Sequence, residues 1–311
     1  MKNLINGIHH VTAIAGNAQR NYDFYTKVLG LRLVKKTVNF DDPGTYHFYF
    51  GDHEGTPGTI LTFFPWEGMR RGMRGAGQVT ETSFSVPANS FDYWMERFEK
   101  TNTIYNKPSQ RLGNDYLVFV DPDGLKLELV ADSSDTRKPY AGTDIPVDKA
   151  IRGFYGVTLT VNDEKGTAKL LTDIFGFEAT KSNANRYRFE AQKGAFADKI
   201  DLVVLPSEQR GSVAAGSVHH VAFRLPDYES QLQMREVIAS AGYNITNQID
   251  RQYFKSLYFR EDAGVLFEIA TDIPGFATDE SIDSLGHGLM LPPQYESRRS
   301  DIEKVLPSLI L

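Results

Sequence analysis

Ser217-Val218-His219-His220-Val221-Ala222-Phe223 repeats, almost letter for letter, the stretch Gly7-Ile8-His9-His10-Val11-Thr12-Ala13 near the start of the chain. Each is a short apolar run of strand type carrying a His-His pair, and the two pairs hold four of the seven histidines. A lone strand histidine is usually just a satisfied polar residue. Two pairs in matching frames point instead to an internal repeat, which sets the architecture before any single element does.

Reading outward from Gly7, residues 8–14 form a strand and Asn17 is placed as an N-cap. Tyr22, Tyr25, Val28 and Leu29 then recur at helical spacing until Gly30 ends the helix. Strand-like runs follow at 31–38, 46–50 and 59–64. The same order, strand, helix, three strands, begins again at Thr80, Phe154 and Ser217. In the second copy Phe91, Trp94, Met95 and Phe98 make an i, i+3, i+4, i+7 apolar stripe. The modules span 7–66, 78–131, 153–206 and 217–271. Residues 133–149, rich in Ser, Thr, Asp and Pro, read as a linker. The organisation expected is an N-terminal half (1–140), a C-terminal half (150–272) and a tail (273–311) without the repeat.

One such module leaves its sheet open. The fold class expected is therefore α+β: four βαβββ modules forming two eight-stranded cup-like sheets with helices outside. A strand-lined concavity is where a ligand would bind. Side chains alternate between faces along a strand, which turns Val218, His220, Ala222 and Arg224 toward the cup. His219, Val221, Phe223 and Leu225 fall on the helix side. The same parity sends Leu266, Glu268 and Ala270 inward, and likewise His10 and Thr12.

Aligning the modules gives two site positions. The first is His10, Glu81, Gly156 and His220; the second, on the last strand, is Thr62, Glu128, Val203 and Glu268. The first and fourth modules together supply His10, His220 and Glu268, with Thr62 in the fourth slot. The fourth module must then pair with the first, leaving the second and third to make a cup without metal. Two histidines and one carboxylate with open positions suit a non-haem Fe(II) oxygenase, and zinc hydrolases use His₂Glu sets too.

Bulk properties narrow the classes. The chain has 311 residues, 41% hydrophobic and 24% charged, which is ordinary for a globular protein with ample core. The formal charge is −6 and no long run of like charges occurs, so no nucleic-acid or anionic-membrane partner is expected. The absence of cysteine excludes disulfides and thiolate metal sites. No signal peptide is read before Gly7, and no apolar run approaches the ~18 residues of a membrane span. The location expected is cytoplasmic.

With these frames in view, the sequence resembles the vicinal oxygen chelate superfamily, which includes glyoxalase I and the extradiol ring-cleaving dioxygenases. The likeness sharpens over Leu29-Gly30-Leu31-Arg32-Leu33-Val34-Lys35-Lys36-Thr37-Val38-Asn39-Phe40-Asp41-Asp42-Pro43 and Pro57-Gly58-Thr59-Ile60-Leu61-Thr62-Phe63-Phe64-Pro65-Trp66. There it resembles the bacterial ring-cleaving dioxygenases of the hydroquinone 1,2-dioxygenase type. The resemblance covers almost the whole chain, including Leu289-Met290-Leu291-Pro292-Pro293-Gln294-Tyr295 in the tail. It departs at His287, where that family leads one to expect an acidic residue.

The resemblance implies Fe(II) as cofactor, held by His10, His220 and Glu268, with Mn, Zn or Ni able to take its place in a purified sample. It implies His9, His219 and Tyr258 as catalytic residues, and Thr12 and Arg251 as substrate-binding ones. Arg251 and Tyr258 would stand on the middle strands of the fourth module. It also sets His9 and His219 near the metal, against the parity rule, as rings titrating near neutral pH and suited to handling protons. His47 and His53, on or beside a turn, read as surface residues. The partners implied are a small aromatic substrate and O₂, and a homo-oligomer is compatible with the sequence. Two other functions stay open: a glyoxalase I-like metal-dependent isomerase, and a non-enzymatic aromatic-binding protein. The first wants a fourth protein ligand where Thr62 stands. The second usually lacks the ligands.

Overall fold

The structure, a computed structural model, describes residues 5–191 and 196–311. The first four residues of the N-terminal half, and residues 192–195 within the third module, lie outside the described residues. The repeat appears four times. The first module is β1 (Ile8–Ala15), α1 (Ala18–Asp23), β2 (Arg32–Val38), β3 (Tyr46–Gly51) and β4 (Ile60–Pro65). The second is β5 (Gln78–Val86), α2 (Phe91–Lys100), β6 (Ser109–Arg111), β7 (Asn114–Val120) and β8 (Lys126–Ala131). The third is β9 (Gly153–Val161), α3 (Lys165–Lys169), β10 (Glu178–Asn183), β11 (Arg186–Glu190) and β12 (Lys199–Val204). The fourth is β13 (Ser217–Leu225), α4 (Tyr228–Ser240), β14 (Ile249–Asp250), β15 (Phe254–Arg260) and β16 (Leu266–Pro274).

Local chemistry sets the boundaries. The Asn17 side chain accepts from the Arg20 amide at 2.8 Å, capping α1. The helix passes into a wider π-turn over Phe24–Val28, and Gly30 stops it at φ +69°, a conformation costly for any residue with a Cβ. In α2, Trp94 and Phe98 are buried, while Met95 and Phe91 are only partly so.

The strands form two eight-stranded sheets, ordered β14-β15-β16-β13-β1-β4-β3-β2 and β10-β11-β12-β9-β5-β8-β7-β6. Each sheet is joined at its centre by an antiparallel pair of first strands, β1 with β13 and β5 with β9. The fourth module thus pairs with the first across the sequence halves, and the second with the third. The helices and the outer sheet faces share one apolar core. Phe24 packs on Phe119 of the second module, and Phe175 of the third lies 4.9 Å from Phe223 of the fourth.

Both central pairs are bulged at the same place. Between β1 and β13 the register skips His9 (Ile8↔Phe223, then His10↔Ala222) and His219 (Thr12↔His220, then Ala13↔Val218). Between β5 and β9 it skips Thr80 and Tyr155. A bulge sets two residues against one and re-aims their side chains, so strict alternation fails at all four repeats of this position.

The second cup is filled with charge. Its strand register places Asp201, not the expected Val203, across from Thr158, as Glu268 lies across from Ala222 and Glu128 from Ser83. Three carboxylates, Glu81, Glu128 and Asp201, therefore converge where only two glutamates were expected. Arg111 reaches Glu128 through two bonds of 3.0 and 2.6 Å, Arg186 bridges Glu81 and Asp201, and Arg188 grips Asp201. The cations occupy the space an ion would need. Burial alone would raise the Glu81 carboxyl, but Arg186, Lys126 and Arg111 hold it down at about 2. A folded value below the ordinary 4.5 contributes stability that is complete above pH 4.5 and lost as pH falls toward 2. Glu81→Gln is thus expected to cost about 3 kcal/mol at pH 7. In urea titrations that deficit should shrink between pH 4.5 and 2; a deficit constant over this range would contradict the assignment.

The tail returns over the first sheet. Met290 donates its amide to the Lys36 carbonyl at 2.9 Å, pairing with edge strand β2, and such cover protects an open edge. Phe276 joins Tyr49, Tyr253 and Phe254 in a small apolar cluster on the concave side. A short helix, α5 (Arg299–Val305), is the last in the chain, and among the described residues no helix is long and apolar enough to cross a membrane.

Candidate metal centre

The three expected donors meet at the floor of the first cup. His10 Nε2 lies 3.3 Å from His220 Nε2 and 3.3 Å from Glu268 Oε2, and His220 Nε2 lies 2.8 Å from that same oxygen. All three residues are buried, Glu268 completely. Among the described residues this is the one cluster of His, Asp and Glu able to hold a metal ion. Donors in adjacent positions around an ion with bonds near 2.1 Å sit about 3 Å apart, which these separations match.

The donor set itself fits an ion. Glu268 Oε1 accepts from the Ser256 hydroxyl, whereas Oε2 is buried and makes no properly directed hydrogen bond. Burial alone would raise this carboxyl, but His10 and His220 beside it hold it well below the usual carboxylate range. Burial pushes the His220 ring below its ordinary value, against the pull of Glu268. An ionised carboxylate facing a neutral imidazole lone pair is a poor pair without a cation and a good pair around one.

The bulged histidines stand behind the donors. His9 Nδ1 is 2.9 Å from His10 Nδ1, and His219 Nδ1 is 2.8 Å from His220 Nδ1. In each contact one ring must carry the hydrogen. Placed on His10 and His220, it leaves both Nε2 lone pairs aimed at the centre, the orientation that a ligand's outer hydrogen bond enforces. Burial, then the neighbouring His10, keeps His9 well below its ordinary pKa; burial, then His220, takes His219 down to about 3. The expectation of rings titrating near neutral pH is therefore not met. Parity also fails for His219, which lines the cup rather than the helix side, because it is the bulged residue.

Above the donors opens a cavity of about 260 Å³ lined by His10, Thr12, His219, His220, Arg251 and Tyr258. Roughly 150 Å³ accommodates benzene, so one substituted ring fits. His9 does not line it; it lies behind His10 against Phe254, at 5.1 Å between ring centroids, and borders a separate cleft. Tyr258 pairs across the strands with Glu268, and burial, then Glu268, pushes its phenol well up, keeping it a neutral donor. Arg251 sits in the turn between β14 and β15 rather than on a strand. It stacks over the Tyr258 ring and meets Asp41 at 3.5 Å, at the cavity mouth.

The first module adds Asn39, Phe40, Asp41, His47, Tyr49, Phe64 and Trp66 to the wall, and the fourth adds Phe254 and Leu266. His47 corrects an expectation, since its ring faces the cavity rather than solvent. Nε2 lies 2.9 Å from Thr62 Oγ1 and Nδ1 2.9 Å from the Tyr49 hydroxyl, and the ring packs on Phe64. A signal was available in the alternation of β3, where Tyr46, Phe48 and Phe50 face the core and His47 and Tyr49 must face the cup. His53 is exposed, as expected. Thr62, in the fourth slot, spends its hydroxyl on Thr12 and His47.

Comparison with known proteins agrees with this architecture. The family model of the glyoxalase/bleomycin resistance protein/dioxygenase superfamily matches residues 7–129 and 154–269. MhqO of Bacillus subtilis (strain 168), provisionally assigned as a ring-cleaving dioxygenase, is 49% identical over 96% of this chain and 95% of its own. The chlorohydroquinone/hydroquinone 1,2-dioxygenase of Sphingobium indicum is 32% identical over 97% of this chain and 96% of its own. A crystal structure of a provisionally assigned dioxygenase from Bacillus subtilis superposes with a TM-score of 0.96 at 47% identity, covering 100% of this chain and 99% of that one.

Proposed function

The chain belongs to the glyoxalase/bleomycin resistance protein/dioxygenase superfamily, and from that premise we propose that it is an Fe(II)-dependent ring-cleaving dioxygenase acting on hydroquinone- or catechol-type aromatics. The observation that carries the reading is the orphaned, fully buried Glu268 Oε2 between two imidazole nitrogens, beneath a cavity sized for one ring. Full-length similarity to a hydroquinone 1,2-dioxygenase supports the reaction class. In this reading His10, His220 and Glu268 hold the iron, which when bound would bring a phenolic oxygen and O₂ together so that both oxygen atoms enter the ring product. His9 and His219 orient the ligand rings. Tyr258 and Arg251 donate toward the oxygen on which charge develops, and Thr12 contacts the substrate hydroxyl. Phe64, Trp66 and Phe254 exclude water around the ring. The enzyme would degrade or detoxify aromatic compounds in the cytoplasm.

An isomerase needing a fourth protein ligand is disfavoured, because the Thr62 hydroxyl is already committed to Thr12 and His47. The test is anaerobic reconstitution with Fe(II), followed by oxygen uptake on adding methylhydroquinone or catechol. Uptake near one O₂ per ring opened is expected. Protein holding stoichiometric iron that consumes no oxygen with any dihydroxybenzene would sink the reading.

A further inference from the structure

Three neighbouring strands of the first cup carry an unbroken row of hydrogen-bonding groups along the cavity wall. Thr12 Oγ1 on β1 is 2.8 Å from Thr62 Oγ1 on β4, which is 2.9 Å from His47 Nε2 on β3. His47 Nδ1 in turn is 2.9 Å from the Tyr49 hydroxyl on the same strand. Thr12, His47 and Tyr49 line the cavity, whereas Thr62 is fully buried behind them. The row therefore begins and ends at the cavity, and Thr62 is its one link that does not touch it. Thr12 lies two residues from His10, at the donor end; Tyr49, at the other end of the row, stands beside Tyr253 and Phe276.

A neutral imidazole has one donor and one acceptor, and each hydroxyl one hydrogen. The row therefore has only two self-consistent polarities. In one, Tyr49 donates to Nδ1, Nε2–H donates to Thr62, Thr62 to Thr12, and Thr12 points its hydrogen into the cavity. In the other, every bond is reversed, Thr12 presents a lone pair to the cavity, and Tyr49 holds a hydrogen free to leave. The His47 tautomer selects between them.

We propose that the Thr12–Thr62–His47–Tyr49 row is a proton relay, with His47 the positioning residue on which its direction turns. The relay takes the proton of a phenolic hydroxyl bound at Thr12 and delivers one to a water at Tyr49. The step balances without charging any member. The substrate O–H breaks as Thr12 gains that proton; Thr12 passes its own to Thr62, and Thr62 passes its own to Nε2. Nδ1 releases its hydrogen to Tyr49, whose former hydrogen goes to the water. A phenolate is left at one end, a protonated water at the other, and the row is in its opposite polarity. Its reset is a rotation of hydroxyls and exchange with water. The relay rests on the phenolic substrate proposed above.

Thr62→Val cuts the row at its buried link while keeping a β-branched side chain of the same shape, and His47→Phe keeps the ring packing on Phe64. With the iron-loaded full chain, kcat for methylhydroquinone oxygen uptake is expected to fall about 10- to 100-fold in each. KM should stay within about threefold and iron content unchanged. The double variant should fall no further than either single one, because both cut one row. Independently, after a pH jump, the phenolate absorbance of 4-nitrophenol bound to the iron-loaded protein should rise about tenfold more slowly in Thr62→Val. Either variant keeping kcat within twofold, or the two losses multiplying, overturns the relay. If the unmodified protein consumes no oxygen, the dioxygenase reading fails, and the nitrophenol pH jump alone decides: an unchanged rate in Thr62→Val overturns the relay as well.

Discussion

Replacing His220 by alanine is expected to give a folded protein that has lost its metal. His220 supplies the nitrogen nearest Glu268 Oε2, at 2.8 Å, and its ring is held by His219 from behind. Without it, two donors remain, and a buried carboxylate loses its closest neighbour. Loss of a mere outer partner of a metal ligand costs about 10- to 100-fold in affinity, so loss of the ligand itself should exceed a hundredfold. Ring-cleaving turnover should fall by at least about a thousandfold with it. Metal content after desalting, measured beside a thermal unfolding scan, checks the prediction. Iron retained at full occupancy in His220→Ala would show that the ligand assignment is wrong. The fold should survive, because the core beneath β13 is made by Val221, Phe223 and Leu225 rather than by the histidine.

Lys35→Ala is expected to be the most damaging substitution to stability. Lys35 is fully buried in β2, and its ammonium lies 2.6 Å from Asp279 and 2.5 Å from Glu280 of the tail, over the Tyr253 ring. Tyr253 and Gln252 also donate to Asp279. Removing the ammonium leaves two largely buried carboxylates without their cation, which costs about 3 kcal/mol. Urea unfolding should register that loss, and proteases should cut after β16 once the tail loosens. Restoring neutrality in Lys35→Met by adding Asp279→Asn and Glu280→Gln should recover most of it. A loss below about 1 kcal/mol for Lys35→Ala would mean that the tail is held mainly by Phe276 and by the edge pairing on β2.

Much of the candidate site was legible because the repeat supplied an internal alignment. His10, His220 and Glu268 stand at positions where alternation holds, so the second histidine of each pair and the glutamate of the last strand were traceable to one face. The first histidine of each pair was not, since parity presumes an unbroken ladder and the bulge sits on that residue. The third-module slot was misplaced by two residues for a related reason. Turn lengths differ between modules, and only the hydrogen bonds of β9 with β12 show that Asp201, not Val203, occupies it. His47 was missed because proximity to a turn outweighed the alternation of its own strand.

The sequence by itself determined that the chain is four copies of one unit. It also determined that two histidines and a glutamate could converge only if the fourth unit meets the first. The tertiary structure decided what each cup contains. Nothing local to Lys35 marks it as a buried cation; the tail makes it one by bringing Asp279 and Glu280 onto it. The second cup looks empty until Arg111, Arg186 and Arg188 arrive from its outer strands to neutralise Glu81, Glu128 and Asp201. Periodicity is written locally, in the spacing of apolar side chains. Register and charge pairing are settled between segments far apart in the chain, by which ladder satisfies its hydrogen bonds and which buried charge finds its partner.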